Sequence, residues 1–340
     1  MANFRKTIYL PYLNGGHCTH FYHFLIEYLL PAVNFARANP DCNLVFQDCG
    51  PLSRWFVDHL EREQFQIVSK RLIAARVVVG LLLPPFVKID RHMVQSGLAL
   101  PEVRLAFNIL FRSRRWRLRR DLRQATATII ARNQRGFARL DSYTGTSAHS
   151  RANLAAATNS LKAKLSISQV AKVSGRPQIV VVNRAEVPNY YVKNEGGDYG
   201  PVRRSIPNLA NIVEVLSSLG DVTLLSPDNT STEGTIKILH NTDLLIGQHG
   251  AGLSNMVWMQ KGSHVLEITY PEKTDPFFSD LAELVDLDFV RIVCQSNPHD
   301  EVDPIMVKQA ALSILETPEG PDNTRLNSNG VITPGSTISG

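Results

Sequence analysis

Asp243-Leu-Leu-Ile-Gly-Gln-His249-Gly250-Ala-Gly252-Leu-Ser-Asn255 decides how this chain is read. An apolar run enters a glycine-rich turn, and helical spacing follows in Leu253, Met256, Val257 and Gln260. A strand that turns on glycines into a helix aims several backbone N–H groups at one point, which suits an anion and above all a phosphate. The order Gly247-x-x-Gly250-x-Gly252 is not the dinucleotide fingerprint G-x-G-x-x-G, so a nicotinamide site is not implied. Turn geometry alone would also call for the glycines.

Outward from this turn, strands and helices alternate. The pattern predicts strand Ile179–Asn183, helix Pro207–Leu219, strand Val222–Leu225 and helix Ser231–His240 before the turn. After it come helix Leu253–Gln260, strand His264–Ile268, helix Phe277–Val285, strand Phe289–Val293 and helix Asp303–Leu315. Towards the N-terminus, strands are expected at Ile8–Leu13, Leu44–Gln47, Ile67–Ser69 and Val77–Leu83. Helices are expected there at His20–Ala38, Pro51–Arg62, Pro101–Gln124 and Ser150–Leu165. Such alternation is the mark of parallel sheets covered by helices, so the fold class is α/β. The polar stretch Ala171–Arg176 is the expected hinge, giving domains 1–172 and 173–317. Residues 318–340, rich in Pro, Gly, Asn, Ser and Thr, read as a disordered tail.

A chain of 340 residues with 44% hydrophobic residues has enough core for two ordinary domains. Its net charge of +5 and pI near 9.0 favour acidic partners such as nucleotides. Cys18, Cys42, Cys49 and Cys294 form no C-x-x-C pair and read as reduced thiols, which favours the cytosol. No signal peptide is visible at the start, and the run Val77–Val87 is broken by Pro84 and Pro85 and too short for a bilayer. The expectation is a cytoplasmic protein that at most lies on the inner face of a membrane. Arg112–Arg123 holds seven arginines among Trp116, Leu118 and Leu122. Such a helix suits anionic lipid or a polyanion, and equally a solvated surface.

Several side chains could serve a ligand at the turn. Glu267 ends the strand Val265-Leu-Glu-Ile, where a carboxylate could accept hydrogen bonds from ribose hydroxyls or cap the next turn. Arg184, closing the strand Ile179–Asn183, could pair with a diphosphate; Arg203 and Arg204 could add charge or lie on the surface. In the first half, His23 and Glu27 share one face of a nearly all-apolar helix. A carboxylate beside histidine there suits general-base work, and a buried structural pair would look the same. His17, His20 and His23 invite a zinc reading, but residues three and six apart drift around a helix and no further ligand is suitably spaced, so no metal is expected. Asp286-Leu-Asp288 is read as a chance D-x-D.

Ile246-Gly-Gln-His-Gly-Ala-Gly-Leu-Ser-Asn255, followed by Lys261-Gly-Ser-His-Val-Leu-Glu-Ile268, resembles the signature region of glycosyltransferase family 61. Phe21-Tyr-His-Phe-Leu-Ile-Glu27 resembles that family's aromatic-His-x-x-x-acid helix. Val180-Val-Val-Asn-Arg184 with Arg203-Arg-Ser-Ile-Pro-Asn208 resembles its strand-plus-arginine segment. The resemblance spans roughly Asn14–Leu30 and Gln178–Val293. It implies a GT-B fold, with two Rossmann-like domains facing a central cleft. It further implies an inverting, metal-independent transfer of a sugar from a nucleotide donor, usually a UDP-sugar, to a hydroxyl of a glycan or glycolipid. Lacking the N-terminal anchor of the Golgi members, the chain is expected to be a bacterial-type enzyme of surface polysaccharide synthesis.

In this reading the diphosphate rests on Gly250, Ala251, Gly252 and Leu253, with His249, Asn255 and Arg184 beside it and His17, Arg203 and Arg204 as further candidates. Glu27, steadied by His23, takes the acceptor proton, and Glu267 holds the ribose. The competing expectations are a non-catalytic nucleotide-sugar binder and a pyruvyl- or other sugar-modifying transferase of the same fold. A nucleic-acid binder working through Arg112–Arg123 ranks last, since no aromatic stacking motif accompanies the arginines.

Overall fold

The computed structural model describes residues 6–10, 12, 20–60, 64–68, 140, 148–167, 175–183, 205–226, 230–316 and 331–332. His17, Arg184, Arg203, Arg204 and the segment Arg112–Arg123 lie outside the described residues, as do the expected strand at Val77–Leu83 and helix at Pro101–Gln124. The chain divides into two compact units, Met1–Tyr143 and Thr144–Gly340. Among the described residues no helix is long and apolar enough to cross a membrane.

The first unit holds strands β1 (Lys6–Leu10), β2 (Cys42–Gln47) and β3 (Phe65–Val68), all parallel in the order β1-β2-β3. One continuous run of helix joins β1 to β2: α1 (Phe21–Phe24), a π-helical turn (Leu25–Leu29) and α2 (Leu30–Ala38). Helix α3 (Pro51–Leu60) follows β2, and its entry is fixed by Asp48, which accepts from Gly50 N at 2.9 Å. Tyr28 anchors the helical run to the sheet. Its ring stacks on Phe46 with centroids 4.0 Å apart. Its hydroxyl donates to Leu10 O and accepts from Gln47 N at 2.6 Å, both at the carboxyl ends of their strands.

The second unit opens with helix α4 (Ala148–Lys164). Leu154, Ala157 and Leu161 are fully buried, Arg151 reaches Asp286 at 2.6 Å, and Lys162 Nζ donates to Met259 O at 3.0 Å. These contacts bind α4 to the strands and helices that follow it. The boundary therefore falls well before the Ala171–Arg176 hinge that composition suggested, because a helix belongs where its apolar face is covered.

Then come β4 (Gln178–Val182), α5 (Leu209–Leu216), β5 (Asp221–Leu225), α6 (Thr232–His240) and β6 (Leu244–Gln248). A 3₁₀ helix (Ala251–Trp258) leads to β7 (His264–Thr269), α7 (Phe277–Leu284), β8 (Asp288–Val293), α8 (Pro304–Glu316) and β9 (Val331–Ile332). All six strands are parallel, in the order β5-β4-β6-β7-β8-β9. Strand β9 comes from the tail expected to be disordered; Val331 and Ile332 pair with Arg291 and Ile292.

Alternation along the strands separates two faces. Ile179, Val181, Leu244, Ile246, Leu266 and Ile268 form one face and pack against α5 and α8 through Ile212, Leu216, Val307 and Ala311. The other face carries Val180, Val182, Leu245 and Val265 beneath the 3₁₀ helix, α6 and α7, and on it Glu267 and Arg291 stand opposite one another in register. The α/β class expected from the sequence is what the chain has, as two parallel sheets. In the second sheet β4 pairs with β5 on one side and β6 on the other, so the direction of winding reverses between β4 and β6. Ligands of open α/β sheets bind outside the carboxyl ends of the strands at such a switch point.

Candidate functional site

The glycine turn lies at this switch point, directly after β6. Gly250 has φ +153° and ψ +177°, a conformation essentially confined to glycine. A Cβ on Gly247 would stand 2.9 Å from Leu253 Cδ2, and one on Gly252 would stand 3.0 Å from Val182 Cγ1. These two glycines therefore let the turn press onto the end of β4, and Gly250 reverses the chain. The helix that follows is 3₁₀ over its whole length and starts at Ala251, two residues before the α-helix that the apolar spacing predicted. Leu253 N–H donates to Gly250 O at 2.9 Å. The N–H groups of Ala251 and Gly252 precede that first bond and have no partner within the helix.

This geometry redistributes the expected roles. The N–H groups that the turn leaves without a partner inside the helix are those of Ala251 and Gly252. Leu253 has spent its N–H inside the turn, and its side chain is fully buried beside Gly247. Asn255 is also buried and ties the turn together, its Nδ2 donating to Gly252 O at 3.1 Å.

His249 and Glu267 depart further from expectation. Glu267 is 0% exposed, and both of its oxygens are engaged inside the protein. His249 Nδ1 lies 2.7 Å from Oε1, and Arg291 Nε donates to Oε2. An ionised carboxylate only accepts, so the imidazole presents its Nδ1–H to Glu267. Glu267 thus meets His249 and Arg291 where a ribose was expected, because register places Arg291 beside it on β8. His249 is 5% exposed and packs edge-on against Phe278, with centroids 5.1 Å apart. Its Nε2 is directed at Asp275 Oδ2, 3.6 Å away.

Arg291 was not singled out from the sequence, although opposite charges inside two otherwise apolar strands, Val265-Leu-Glu-Ile and Phe289-Val-Arg-Ile, are a readable sign. Beyond Glu267, its guanidinium donates to Thr274 O at 2.9 Å and Asp275 O at 2.8 Å. Thr269 Oγ1 donates to Lys273 O at 2.5 Å, so the whole β7–α7 loop is clamped over the strand ends. On the opposite face, Gln248 Nε2 donates to Gln295 Oε1 at 2.9 Å and Pro298 O at 2.7 Å, fixing the loop after β8 in the same way.

In the first unit, His23 and Glu27 do meet. His23 Nδ1 is 2.9 Å from Glu27 Oε2, and Tyr12 donates its hydroxyl to the same oxygen at 2.9 Å. Both side chains stay partly open, His23 at 31% and Glu27 at 21%. Glu27 sits in the π-helical turn, a local widening that recurs at functional sites. Tyr28 next to it touches the carboxyl ends of β1 and β2, the end of an open α/β sheet at which ligands generally bind. Among the described residues no three His, Cys, Asp or Glu group as a metal cluster. Asp286 pairs with Arg151 and Lys261, and Asp288 pairs with His264, both by the amino-terminal ends of β7 and β8 and away from the turn.

Comparison with known proteins adds the family. No curated protein matches the sequence. Among solved structures, the glycosyl transferase family 9 protein from Veillonella parvula DSM 2008 is similar at 10% identity and a TM-score of 0.41, covering 93% of this chain and 98% of its own. The family model Glycosyltransferase 61 matches residues 21–266, a span that takes in the His23–Glu27 helix, the glycine turn and the first half of β7. The chain belongs to glycosyltransferase family 61.

Proposed function

We propose that this glycosyltransferase is inverting and metal-independent. It moves a sugar from a nucleotide donor, a UDP-sugar by preference, to a hydroxyl of a glycan or glycolipid in surface polysaccharide synthesis. The observation that carries the proposal is the glycine turn at the switch point of the second sheet, where the Ala251 and Gly252 N–H groups have no partner within the helix, in a chain of this family. Two N–H groups and the positive end of the 3₁₀ helix offer a site for the donor diphosphate. Arg184 follows β4 in sequence and is assigned to the same diphosphate. Negative charge grows on the leaving phosphate in the transition state, and donors already aimed there lower the barrier.

Glu27 takes the proton of the acceptor hydroxyl as that oxygen attacks the anomeric carbon opposite the departing diphosphate. Tyr12 donates to Oε2 and holds the carboxylate in place, and His23 Nδ1 stands 2.9 Å from the same oxygen. Glu27→Gln is expected to lower turnover by about 10² to 10⁴ while nucleotide-sugar affinity holds. Wild-type turnover in that variant contradicts the base assignment. Sugar transfer measured after exhaustive chelation is expected to be undiminished. A loss restored by a divalent cation contradicts the metal-free reading.

A further inference from the structure

Asp275 is the one member of the buried polar group in the second unit that reaches the surface. Glu267, His249 and Arg291 are 0%, 5% and 6% exposed, whereas the Asp275 side chain keeps 29%. Burying a carboxylate, an imidazole and a guanidinium costs roughly several kcal/mol per ion before pairing repays it, so such a group is weak evidence for stability. Here its geometry converges on Asp275. Arg291 holds the Asp275 carbonyl at 2.8 Å, and His249, oriented by Glu267, presents Nε2 3.6 Å from Oδ2. Among the described residues, Asp275 Oδ1 has no hydrogen-bond donor. Oδ1 is itself covered, so a ligand hydroxyl meets the carboxylate from the side that keeps the 29% exposure, and an ionised carboxylate only accepts.

We propose that Asp275 is a ligand-contacting carboxylate of the donor site that accepts hydrogen bonds from hydroxyl groups of the bound nucleotide-sugar. Glu267, His249 and Arg291 act as its positioning residues. The inference rests on the nucleotide-sugar reading above. The chemistry selects hydroxyls: a phosphate is itself an acceptor and carries the same sign of charge, so Asp275 repels it and leaves it to the glycine turn. Two parts of a nucleotide-sugar bear such hydroxyls, the ribose and the transferred sugar.

Isothermal titration of the full chain separates them, using UDP, 2′,3′-dideoxy-UDP, and the tightest-binding of UDP-glucose, UDP-galactose, UDP-N-acetylglucosamine and UDP-xylose. Asp275→Ala is expected to weaken the hydroxyl-bearing ligand by about 10- to 100-fold and to leave dideoxy-UDP within about twofold of wild type, as befits a hydrogen bond to a charged group. A loss with UDP places the contact on the ribose. A loss confined to the UDP-sugar places it on the transferred sugar. Wild-type affinity for every ligand overturns the proposal, and so does an equal loss for all of them, dideoxy-UDP included. Asp275→Asn, which keeps the side chain's size, gives the same pattern more weakly and serves if the alanine variant unfolds. A wild-type chain that binds none of these ligands defeats the nucleotide-sugar reading itself, an outcome distinct from wild-type binding that Asp275→Ala leaves unchanged.

Discussion

Glu267 stands at the centre of an apolar strand with a charge it cannot share with water. Its partners are Arg291 on the neighbouring strand and His249 at the end of β6, and removing Glu267 leaves both buried without their carboxylate. Glu267→Leu alone is therefore expected to destabilise the fold by about 3–5 kcal/mol, measured by urea unfolding. Glu267→Leu combined with Arg291→Met is expected to recover most of that loss, because an apolar pair of similar volume avoids the desolvation. A double variant as unstable as the single one contradicts this account of the pair. The sequence marked Glu267 and His249 as site residues from their places at strand ends. It could not show that they bond to each other. That depends on which strands are neighbours and in what register, and Arg291 and Asp275 went unread for the same reason. His23 and Glu27 were legible because their relation is local, four residues along one helix.

At the scale of elements, the turn after β6 shows how local geometry overrides apolar spacing. Leu253, Met256 and Val257 suggested an α-helix, but Gly250 and the close approach of Gly247 and Gly252 to Leu253 and Val182 favour a tighter 3₁₀ start. Gly250→Ala forces an alanine into a backbone region reserved for glycine and is expected to cost about 1–3 kcal/mol. It should also weaken nucleotide binding, since the Ala251 and Gly252 amides move with it. Unchanged stability and affinity would show that the turn tolerates another path. Helix α4 offers a separate check. Burial pushes the Lys162 ammonium down to about 8 from its ordinary 10.5. The unfolded chain therefore binds more protons than the folded one between those values, and stability contributed at this site rises with pH across that window. Relative to Lys162→Met, the wild type is expected to gain up to about 3 kcal/mol from pH 8 to 10.5 in denaturant titrations. A flat difference contradicts the burial.

At the scale of the whole molecule, the alternating pattern was enough to read two α/β units, and the family followed from three short motifs in order. The boundary was not legible, because the composition of Ala171–Arg176 resembles a linker while the packing of α4 lies elsewhere in space. A fragment beginning at Thr144 is expected to unfold cooperatively. One beginning at residue 173 loses the cover of Leu154, Ala157 and Leu161 and is expected to be several kcal/mol less stable, at roughly 1.5–3 kcal/mol per large buried side chain. Equal stability of the two fragments would return the boundary to the later position.

The central claim is that the second unit holds a nucleotide-sugar at the turn following β6. A thermal-shift screen of the full chain against UDP-, GDP-, CMP- and dTDP-sugars tests it most directly. A donor at about 100 times its dissociation constant adds roughly 2.7 kcal/mol to stability. The account predicts a clear rise in midpoint with one base, UDP first, that Gly250→Ala diminishes. No rise with any nucleotide-sugar at saturating concentration contradicts it.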